Sequence, residues 1–307
     1  MVDSTGISPN NFSDLRKNLI SQAPKTLVVA AAHDLHTLEA VYAAARELPM
    51  KYILVGNREK ILSISSGLGI APEMGAIEDC GGDDECARKS VSLVRDGYGD
   101  VLMKGILDSG TLLKAVLDKD MGIRDSGVMS HIATLQVPAY HKLILVTDAG
   151  MITDPSLEQK ADIVRNAVAF CRLLNLKKPK IAAISASESI NKKFPETVDA
   201  AELQAMCTRG ELGDCLLEGP LSFDIAISSE SAKSKGFESV ISGNSDILLV
   251  PNISVGNVLA KGLLFWGNAK MAGCVVGAKA PIVLVSRIAS AEEKLLSIMI
   301  CLCAGNN

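Results

Sequence analysis

The stretch KTLVVAAAHDLHTLEAV, residues 25–41, contains the pattern from which the fold is predicted. Residues 25–32 are mostly Val, Leu and Ala, which is typical of a buried strand. After Asp34 the apolar residues recur at helical spacing, so a strand is followed by an amphipathic helix. The apolar face of this helix comprises Leu35, Leu38, Val41, Tyr42, Ala45 and Leu48.

The same alternation continues to the end of the 307-residue chain. Further runs that read as strands are YILVG, DVLMKG, KLILVTDAG, PKIAAIS, CLLEGP, DILLVP and PIVLVS. Strands that alternate with helical segments predict an α/β fold with a largely parallel sheet covered by helices. A chain of this length predicts two domains or one large α/β unit.

Composition excludes several classes of protein. Charged residues make up 21% of the chain, the net charge is -4, and no basic stripe is present, so we expect no nucleic-acid partner. The eight cysteines form no CxxC pair or Cys/His metal-ligand spacing, which indicates a reducing cytoplasm and no metal site. A signal-peptide core and an apolar run of membrane-span length are both absent, so neither secretion nor membrane insertion is expected.

The familiar active-site motifs are missing too. The first strand-to-helix turn reads AAAHDLH and has no GxGxxG, which argues against a dinucleotide site of the Rossmann type. GxxxxGK[ST], GxSxG and HExxH do not occur anywhere in the sequence, so a P-loop, a hydrolase elbow and a zincin site are not predicted.

Polar residues follow most of the predicted strands. They are His33, Asp34, Asn57, Lys104, Gly105, Thr147, Asp148, Ser185, Glu218, Asn252, Ser286 and Arg287. Ligands of open α/β sheets bind beyond the carboxyl ends of strands, so these residues predict one polar cleft. The alternative is that chains simply become polar where strands end.

Two blocks near the end of the chain carry a resemblance to a known family. DILLVPNISVGNVLAKGLLFWG (246–267) and GAKAPIVLVSRIASAEEKLLSI (277–298) resemble the phosphate acetyl/butyryltransferase family. Within that family, the blocks resemble the phosphate butyryltransferases more than the phosphate acetyltransferases. Upstream blocks such as DVLMKGILDSGTLLKAVLDKDMGIR, MSHIATLQVP and EGPLSFD follow the family's order, so the resemblance covers nearly the whole chain.

The resemblance implies a two-domain fold like that of isocitrate and isopropylmalate dehydrogenases, with the active site in the interdomain cleft. Residues 1–142 and 280–307 would form one discontinuous α/β domain, and residues 143–279 the other. The implied reaction transfers a short acyl group, butyryl in the first place, from coenzyme A to orthophosphate. It needs no cofactor, because acyl-CoA and phosphate are the substrates, and the family relation predicts a homodimer or higher homo-oligomer.

Ser286 and Arg287 suit the chemistry of that reaction. Phosphate attack on a thioester passes through an oxyanion and expels a thiolate, so the site needs fixed donors. The Arg287 guanidinium can bind phosphate oxygens bidentately and remains charged. The Ser286 hydroxyl can donate to the sulfur. The resemblance assigns such roles to this Ser-Arg pair.

Glu293 has two possible roles. It stands seven residues after Ser286, where the resemblance implies a carboxylate base for the thiol, although acetyltransferase relatives have aspartate there. Ser290 and Glu293 also form the pattern of a capping box, in which the carboxylate is occupied by the helix N-terminus. The sequence leaves base and cap as alternatives.

The resemblance further implies a set of substrate-binding residues. They are Lys104, Gly105, Arg124, Ser130, His131, Asn252, Gly256, Asn257, Lys261 and Lys270. Glycine at 105 would let a ligand approach closely, and a helix beginning near Val255 would face phosphate. Asn252 and Lys261 could instead be a helix cap and a solvent-exposed lysine, and His131 a core histidine. Lys270 is the nearest cation where the acetyltransferase pattern has an arginine.

Other functions remain open at this point. A phosphate acetyltransferase is one alternative, and an NAD(P)- and metal-dependent dehydrogenase of the same fold is another. The dehydrogenase would need clustered aspartates, of which the sequence offers no obvious triad. A binding protein derived from the fold is a third alternative.

Overall fold

The structure is a computed structural model, and it describes residues 9–72, 76–125, 127–286 and 289–305. Within these ranges eleven strands are interspersed with eleven helices. The strands are β1 (Lys25–Ala30), β2 (Met50–Gly56), β3 (Ile77–Asp79), β4 (Val101–Lys104), β5 (Ser130–Gln136), β6 (Leu143–Thr147), β7 (Lys180–Ile184), β8 (Leu216–Leu221), β9 (Ile247–Leu249), β10 (Lys270–Val276) and β11 (Ile282–Val283). The helices are α1 (Phe12–Ile20), α2 (Leu35–Glu47), α3 (Arg58–Gly67), α4 (Asp83–Arg95), α5 (Ser109–Val116), α6 (Leu157–Leu173), α7 (Pro195–Thr208), α8 (Phe223–Ile227), α9 (Ser229–Ser234), α10 (Ile253–Phe265) and α11 (Ala291–Ala304).

The chain divides into two compact units. The terminal unit contains the described residues of 15–126 and 272–307, and the central unit contains those of 1–14 and 127–271. The predicted domain boundaries, after residues 142 and 279, differ from this division. Residues 130–136 belong to the central unit because β5 pairs with β6. The predicted domains themselves stay a prediction.

In the terminal unit the strand order is β3-β2-β1-β4-β11-β10. Four of the neighbouring pairs are parallel, and β10 with β11 is antiparallel. Leu27, Val28 and Val29 of β1 are fully buried, as expected for a parallel strand whose two faces are both covered. The predicted strand 25–32 ends at Ala30, because Ala31 adopts a left-handed φ of 53° that takes the chain out of the sheet.

In the central unit the strand order is β5-β6-β9-β7-β8. Its pairs are parallel except for β5 with β6, which is antiparallel. The core is mainly aliphatic and includes Leu135, Val146 and Leu248. The predicted α/β class with a mostly parallel sheet is therefore confirmed in both units.

Two local predictions were wrong. The run PIVLVS supplies only Ile282 and Val283 to β11, because only these two residues pair with Leu102 and Met103 of β4. Leu35, assigned to the apolar helix face, is 45% exposed, whereas Leu38 and Val41 of the same helix are fully buried.

Among the described residues, no helix has the length and apolar character that crossing a bilayer requires.

Candidate active site

A pocket of about 350 Å³ opens beyond the carboxyl ends of β1, β4 and β11. These neighbouring strands are parallel, so the segments that follow them leave the sheet at one edge. The pocket lies within the terminal unit, and we call it the strand-end pocket. Its lining includes the polar residues His36, Lys104, Ser286 and Lys294 and the apolar residues Met103, Ile106 and Val285.

Ser286 reaches this pocket from the end of β11. The residue is exposed, and its carbonyl accepts a hydrogen bond from the Ala289 amide at 3.1 Å, which turns the chain towards α11. The serine therefore lies at an exposed strand exit, and its predicted contact with the sulfur stays a prediction. Arg287, its predicted partner, lies outside the described residues, and its role stays a prediction.

Lys104 brings a positive charge to the same pocket from the end of β4. The residue is only 8% exposed, and its Nζ donates to the carbonyls of Gly105 at 3.0 Å and Leu107 at 3.1 Å. These bonds hold the ammonium in a defined position, because a buried charge needs hydrogen-bond partners.

Gly105 has a packing reason to be glycine. A Cβ at this position would lie 2.3 Å from the Ala31 carbonyl oxygen and 2.5 Å from that of Ala30. The glycine therefore permits close contact between the exit of β4 and the exit of β1. Its predicted contact with substrate stays a prediction.

Sequence reasoning misses His36 and Lys294 as pocket residues. His36 follows the strand-exit residue Asp34 by two positions, and Lys294 is adjacent to Glu293. The Asp34 carboxylate is occupied as the N-cap of α2, where it accepts bonds from the Thr37 amide at 2.9 Å and hydroxyl at 2.8 Å. The pocket thus presents two lysines beside one carboxylate that already has donors, which favours an anionic ligand.

Glu293 combines features of both predicted roles. The Ser290 hydroxyl accepts a hydrogen bond from the Glu293 amide at 3.1 Å, so Ser290 is the N-cap of α11. Burial raises the pKa of the Glu293 carboxyl, while a bond from the Ser290 backbone partly opposes this rise. A carboxyl whose pKa is raised towards neutrality accepts a proton more readily than an ordinary glutamate.

A second set of predicted residues lies in the central unit. Because β5 runs antiparallel to β6, Ser130 and His131 at its start lie beside Thr147 and Asp148 at the end of β6. The Asp148 side chain accepts hydrogen bonds from the His131 amide and from the amides of residues 150, 151 and 152, at 2.8 to 3.0 Å. This carboxylate therefore organises the loop after β6.

His131 and Ser130 differ in the hydrogen bonding of their side chains. His131 Nδ1 is buried without a hydrogen-bond partner among the described residues, and burial lowers the pKa of its ring although Asp148 opposes the shift. The imidazole is therefore neutral at neutral pH. Ser130 is fully buried, and its hydroxyl accepts a bond from Asn166 Nδ2 at 3.1 Å. Substrate contacts of both residues stay predictions.

Four more predicted residues lie on α10. Asn252 is its N-cap and accepts a bond from the Val255 amide at 3.1 Å, so the helix begins at Ile253, two residues before Val255. Gly256 is buried, and Asn257 and Lys261 are exposed.

Arg124 and Lys270 lie elsewhere. Arg124 is exposed in the terminal unit and forms a backbone bridge with Ala278, while Lys270 is exposed at the start of β10. Of the predicted residues, the structure brings Lys104, Gly105 and Ser286 together in the strand-end pocket. Within the described residues, no group of three or more His, Cys, Asp or Glu side chains is arranged to hold a metal ion.

Comparison with known proteins identifies the family. The model of the family described as "Phosphate acetyl/butaryl transferase" matches residues 83–302. The chain belongs to this family. It is 39% identical to the phosphate butyryltransferase of Clostridium acetobutylicum over 297 residues, which are 96% of this chain and 99% of that protein.

Other members of the phosphate acetyl/butaryl transferase family carry different names. The phosphate acetyltransferase of Thermotoga maritima is also 39% identical, over 89% of this chain and 93% of its own. The crystal structure of a branched-chain phosphotransacylase from Enterococcus faecalis V583 has a TM-score of 0.82 at 33% identity, over 91% of this chain and 98% of that one. The chain is therefore an acyltransferase of this family, and its α/β fold is that of a phosphotransacylase.

The two glycines of α10 provide a test of whether Gly256 is needed for packing. A Cβ at Gly256 would lie 2.7 Å from the Asp148 carbonyl oxygen and 2.9 Å from Val250 Cγ2, whereas one at Gly262 would meet nothing within 4 Å. We expect Gly256→Ala to lower the free energy of unfolding by about 1–3 kcal/mol through overpacking. Gly262→Ala should raise it by up to about 1 kcal/mol through helix propensity.

Urea unfolding of the two variants measures both effects. Equal changes at the two positions would contradict the packing role of Gly256. In that case its place in the family pattern would have to be explained by substrate binding alone.

Proposed function

We propose that this protein transfers a short-chain acyl group, butyryl in the first place, reversibly between coenzyme A and orthophosphate. The observation that carries the proposal is the strand-end pocket of a family member, in which an exposed serine and a fixed lysine lie together. No further cofactor is required, because the thioester supplies the activated acyl group.

The proposed chemistry follows from the groups that reach the pocket. An orthophosphate oxygen attacks the thioester carbonyl carbon, and the electron pair of the C=O bond moves onto oxygen. The oxyanion then collapses, the C–S bond breaks, and acyl phosphate and the coenzyme A thiolate are formed. Lys104 and Arg287 would stabilise the developing negative charge, and the Ser286 hydroxyl would donate to the sulfur.

Glu293 is the proposed proton acceptor for the reverse reaction. There the coenzyme A thiol must lose its proton before the sulfur attacks the acyl phosphate. A carboxyl whose pKa burial has raised can take that proton, and the Ser290 cap fixes the turn that carries it. Base and cap are thus compatible roles of one residue.

The wider architecture is part of the proposal. We infer a fold of the isocitrate and isopropylmalate dehydrogenase type, with the substrates in a cleft between two domains, 1–142 with 280–307 and 143–279. The predicted substrate-binding residues of the other parts of the chain would contribute there. They are Arg124, Ser130, His131, Asn252, Gly256, Asn257, Lys261 and Lys270. The family relation supports this proposed architecture.

The apolar lining of the pocket supports butyryl as the preferred acyl group. Met103, Ile106 and Val285 lie in the same pocket as Ser286, and Ile106 is 49% exposed although it is a large aliphatic residue. An acyl chain of several carbons would cover this side chain. Acetyl is the second candidate, because relatives named for acetyl and butyryl transfer are equally identical to this chain.

A homo-oligomer and a cytoplasmic location complete the proposal. Trp266 is 92% exposed, Val258 72% and Phe265 69%, so α10 and its C-cap residue present apolar surface that a second copy would cover. A single-chain mass in sedimentation equilibrium would contradict the oligomer.

The cysteines support the proposed cytoplasmic location. All eight are free, which suits a reducing compartment.

Phosphate-dependent release of free thiol from butyryl-CoA tests the reaction. We expect thiol release that requires phosphate and neither NAD nor added metal. Ser286→Ala should lower kcat/KM by about 100-fold, because it removes one donor from the transition state. Ser66→Ala, on an exposed face of α3, is the matched control and should leave the rate unchanged. Full activity of Ser286→Ala, or thiol release without phosphate, would refute the proposal.

Glu293→Gln and Ser290→Ala separate the base from the cap. Glutamine keeps the size and hydrogen bonds of the cap but accepts no proton, so the reverse rate should fall about 100-fold. Ser290→Ala should lower the free energy of unfolding by about 1 kcal/mol through loss of the N-cap. For each variant, the rate of the reverse reaction and the free energy of unfolding in urea are measured.

The pH dependence of stability gives a further readout for Glu293. Its pKa is raised in the folded state, so its contribution to stability is present below the ordinary glutamate pKa and lost as the pH rises through the folded value. Glu293→Gln should therefore not be destabilising at neutral pH. Loss of stability together with an unchanged rate would leave Glu293 with the cap role only.

Ile106→Ala tests the acyl preference. Removing the side chain should lower the kcat/KM ratio of butyryl-CoA to acetyl-CoA by about 10-fold, because each methylene contact contributes about 1–3 kcal/mol. Leu62→Ala is the control, since Leu62 is 45% exposed on α3 and does not line the pocket. An unchanged ratio in an active Ile106→Ala enzyme would remove Ile106 from acyl recognition.

A further inference from the structure

The eight thiols of this protein differ sharply in accessibility. All eight cysteines lie within the described residues, and seven are buried. Cys207, near the end of α7, is the one with a partly exposed residue surface. An oxidant in solution therefore meets Cys207 first.

Cys207 also has a second thiol beside it. Its Sγ lies 3.6 Å from the Sγ of Cys215 and 3.5 Å from the Cys215 carbonyl oxygen, to which it donates. Cys215 directly precedes β8 and is 7% exposed. The two sulfurs are in contact although no covalent bond joins them.

The two sulfurs need to approach from 3.6 Å to a bond length of about 2.05 Å. In the segment between the two cysteines, Gly210 and Gly213 adopt left-handed φ values of 78° and 86°, and a Cβ at Gly210 would meet nothing within 4 Å. Leu212 in the same segment is fully buried, so we assign the approach to the two cysteine side chains and not to the loop.

We propose that Cys207 and Cys215 form a dithiol modification site that reacts with low-molecular-weight disulfides and closes to an intramolecular disulfide. In the first step the Cys207 thiolate attacks one sulfur of the reagent, and one reagent thiolate leaves. In the second step Cys215 loses its proton to solvent, attacks Cys207 Sγ and expels the second reagent thiolate. Two protein thiols are oxidised and one reagent disulfide is reduced to two thiols, so electrons balance.

The order of the two steps follows from the environment of Cys215. Burial raises the pKa of the Cys215 thiol to about 12, and the neighbouring Cys207 contributes to the rise. Cys215 therefore remains a thiol while Cys207 reacts, and it attacks only in the second step. Closure should accelerate as the pH rises, because the second step needs the Cys215 thiolate.

Two other thiol pairs serve as internal controls. Burial and the neighbouring Cys274 raise the pKa of the Cys301 thiol, and both residues are fully buried. Burial and Cys80 likewise raise the pKa of the Cys86 thiol, and Cys80 and Cys86 are 6% and 0% exposed. Proximity of two thiols is thus common to the three pairs. Access from solvent distinguishes the pair at 207 and 215.

Treatment of the folded protein with glutathione disulfide, followed by peptide mapping under non-reducing conditions, tests the proposal. We expect the loss of two thiols, a link between the peptides of Cys207 and Cys215, and reversal by dithiothreitol. Cys207→Ser should slow thiol loss at least about 10-fold. Cys215→Ala should stop at a stable adduct of one glutathione on Cys207.

Several outcomes would overturn the proposal. They are a stable glutathione adduct in the unsubstituted protein, a link within one of the two buried pairs, and retention of all eight thiols. If urea unfolding shows that Cys215→Ala is destabilised, two other measurements decide whether the proposal holds. They are the rate of thiol loss in Cys207→Ser and the peptide map of the unsubstituted protein. None of these readouts depends on acyl transfer, so the result stands apart from the proposed reaction.

Discussion

The parallel pairing of β1, β4 and β11 is the constraint on which the strand-end pocket depends. Parallel strands bring their carboxyl ends to one edge, so side chains distant in sequence become neighbours there. β11 contributes only Ile282 and Val283 to this pairing, opposite Leu102 and Met103. A slip of one residue in so short a strand would reverse which face each side chain meets.

Helix α11 reinforces the position of that short strand. Ile298, Ile300 and Leu302 in its second half are fully buried, and the Ser297 hydroxyl donates to the Glu293 carbonyl while accepting from the Gly273 amide at 2.9 Å. Ser286 therefore follows a strand fixed by its pairing with β4 and precedes a helix whose second half is buried. This explains how one exposed hydroxyl can occupy a defined place at the end of an apolar run.

Sequence patterns were sufficient to predict the fold class and to identify the strand exits that meet in the pocket. Alternation of strands and helices predicted the parallel sheet, and Lys104 and Ser286 followed from their places after apolar runs. His36 and Lys294 were missed because they lie in the first turns of α2 and α11, where spacing does not reveal which side chains face a pocket. The end of β1 at Ala30 was missed because the left-handed conformation of Ala31 has no sequence signature.

Residues that belong to one family pattern can be required at their positions for different physical reasons. Gly105 and Gly256 both allow backbone to approach backbone, and Asn252 caps a helix, so three residues that the resemblance assigns to substrate also have a structural role. Asn257 and Lys261 are exposed and have no such explanation in the structure. With 3.6 residues per turn, Lys261 lies between Asn257 and the apolar residues Val258 and Phe265 around α10. A second copy that covers Val258 and Phe265 would border Lys261 and leave Asn257 open, so self-association and substrate binding can use adjacent faces of this helix.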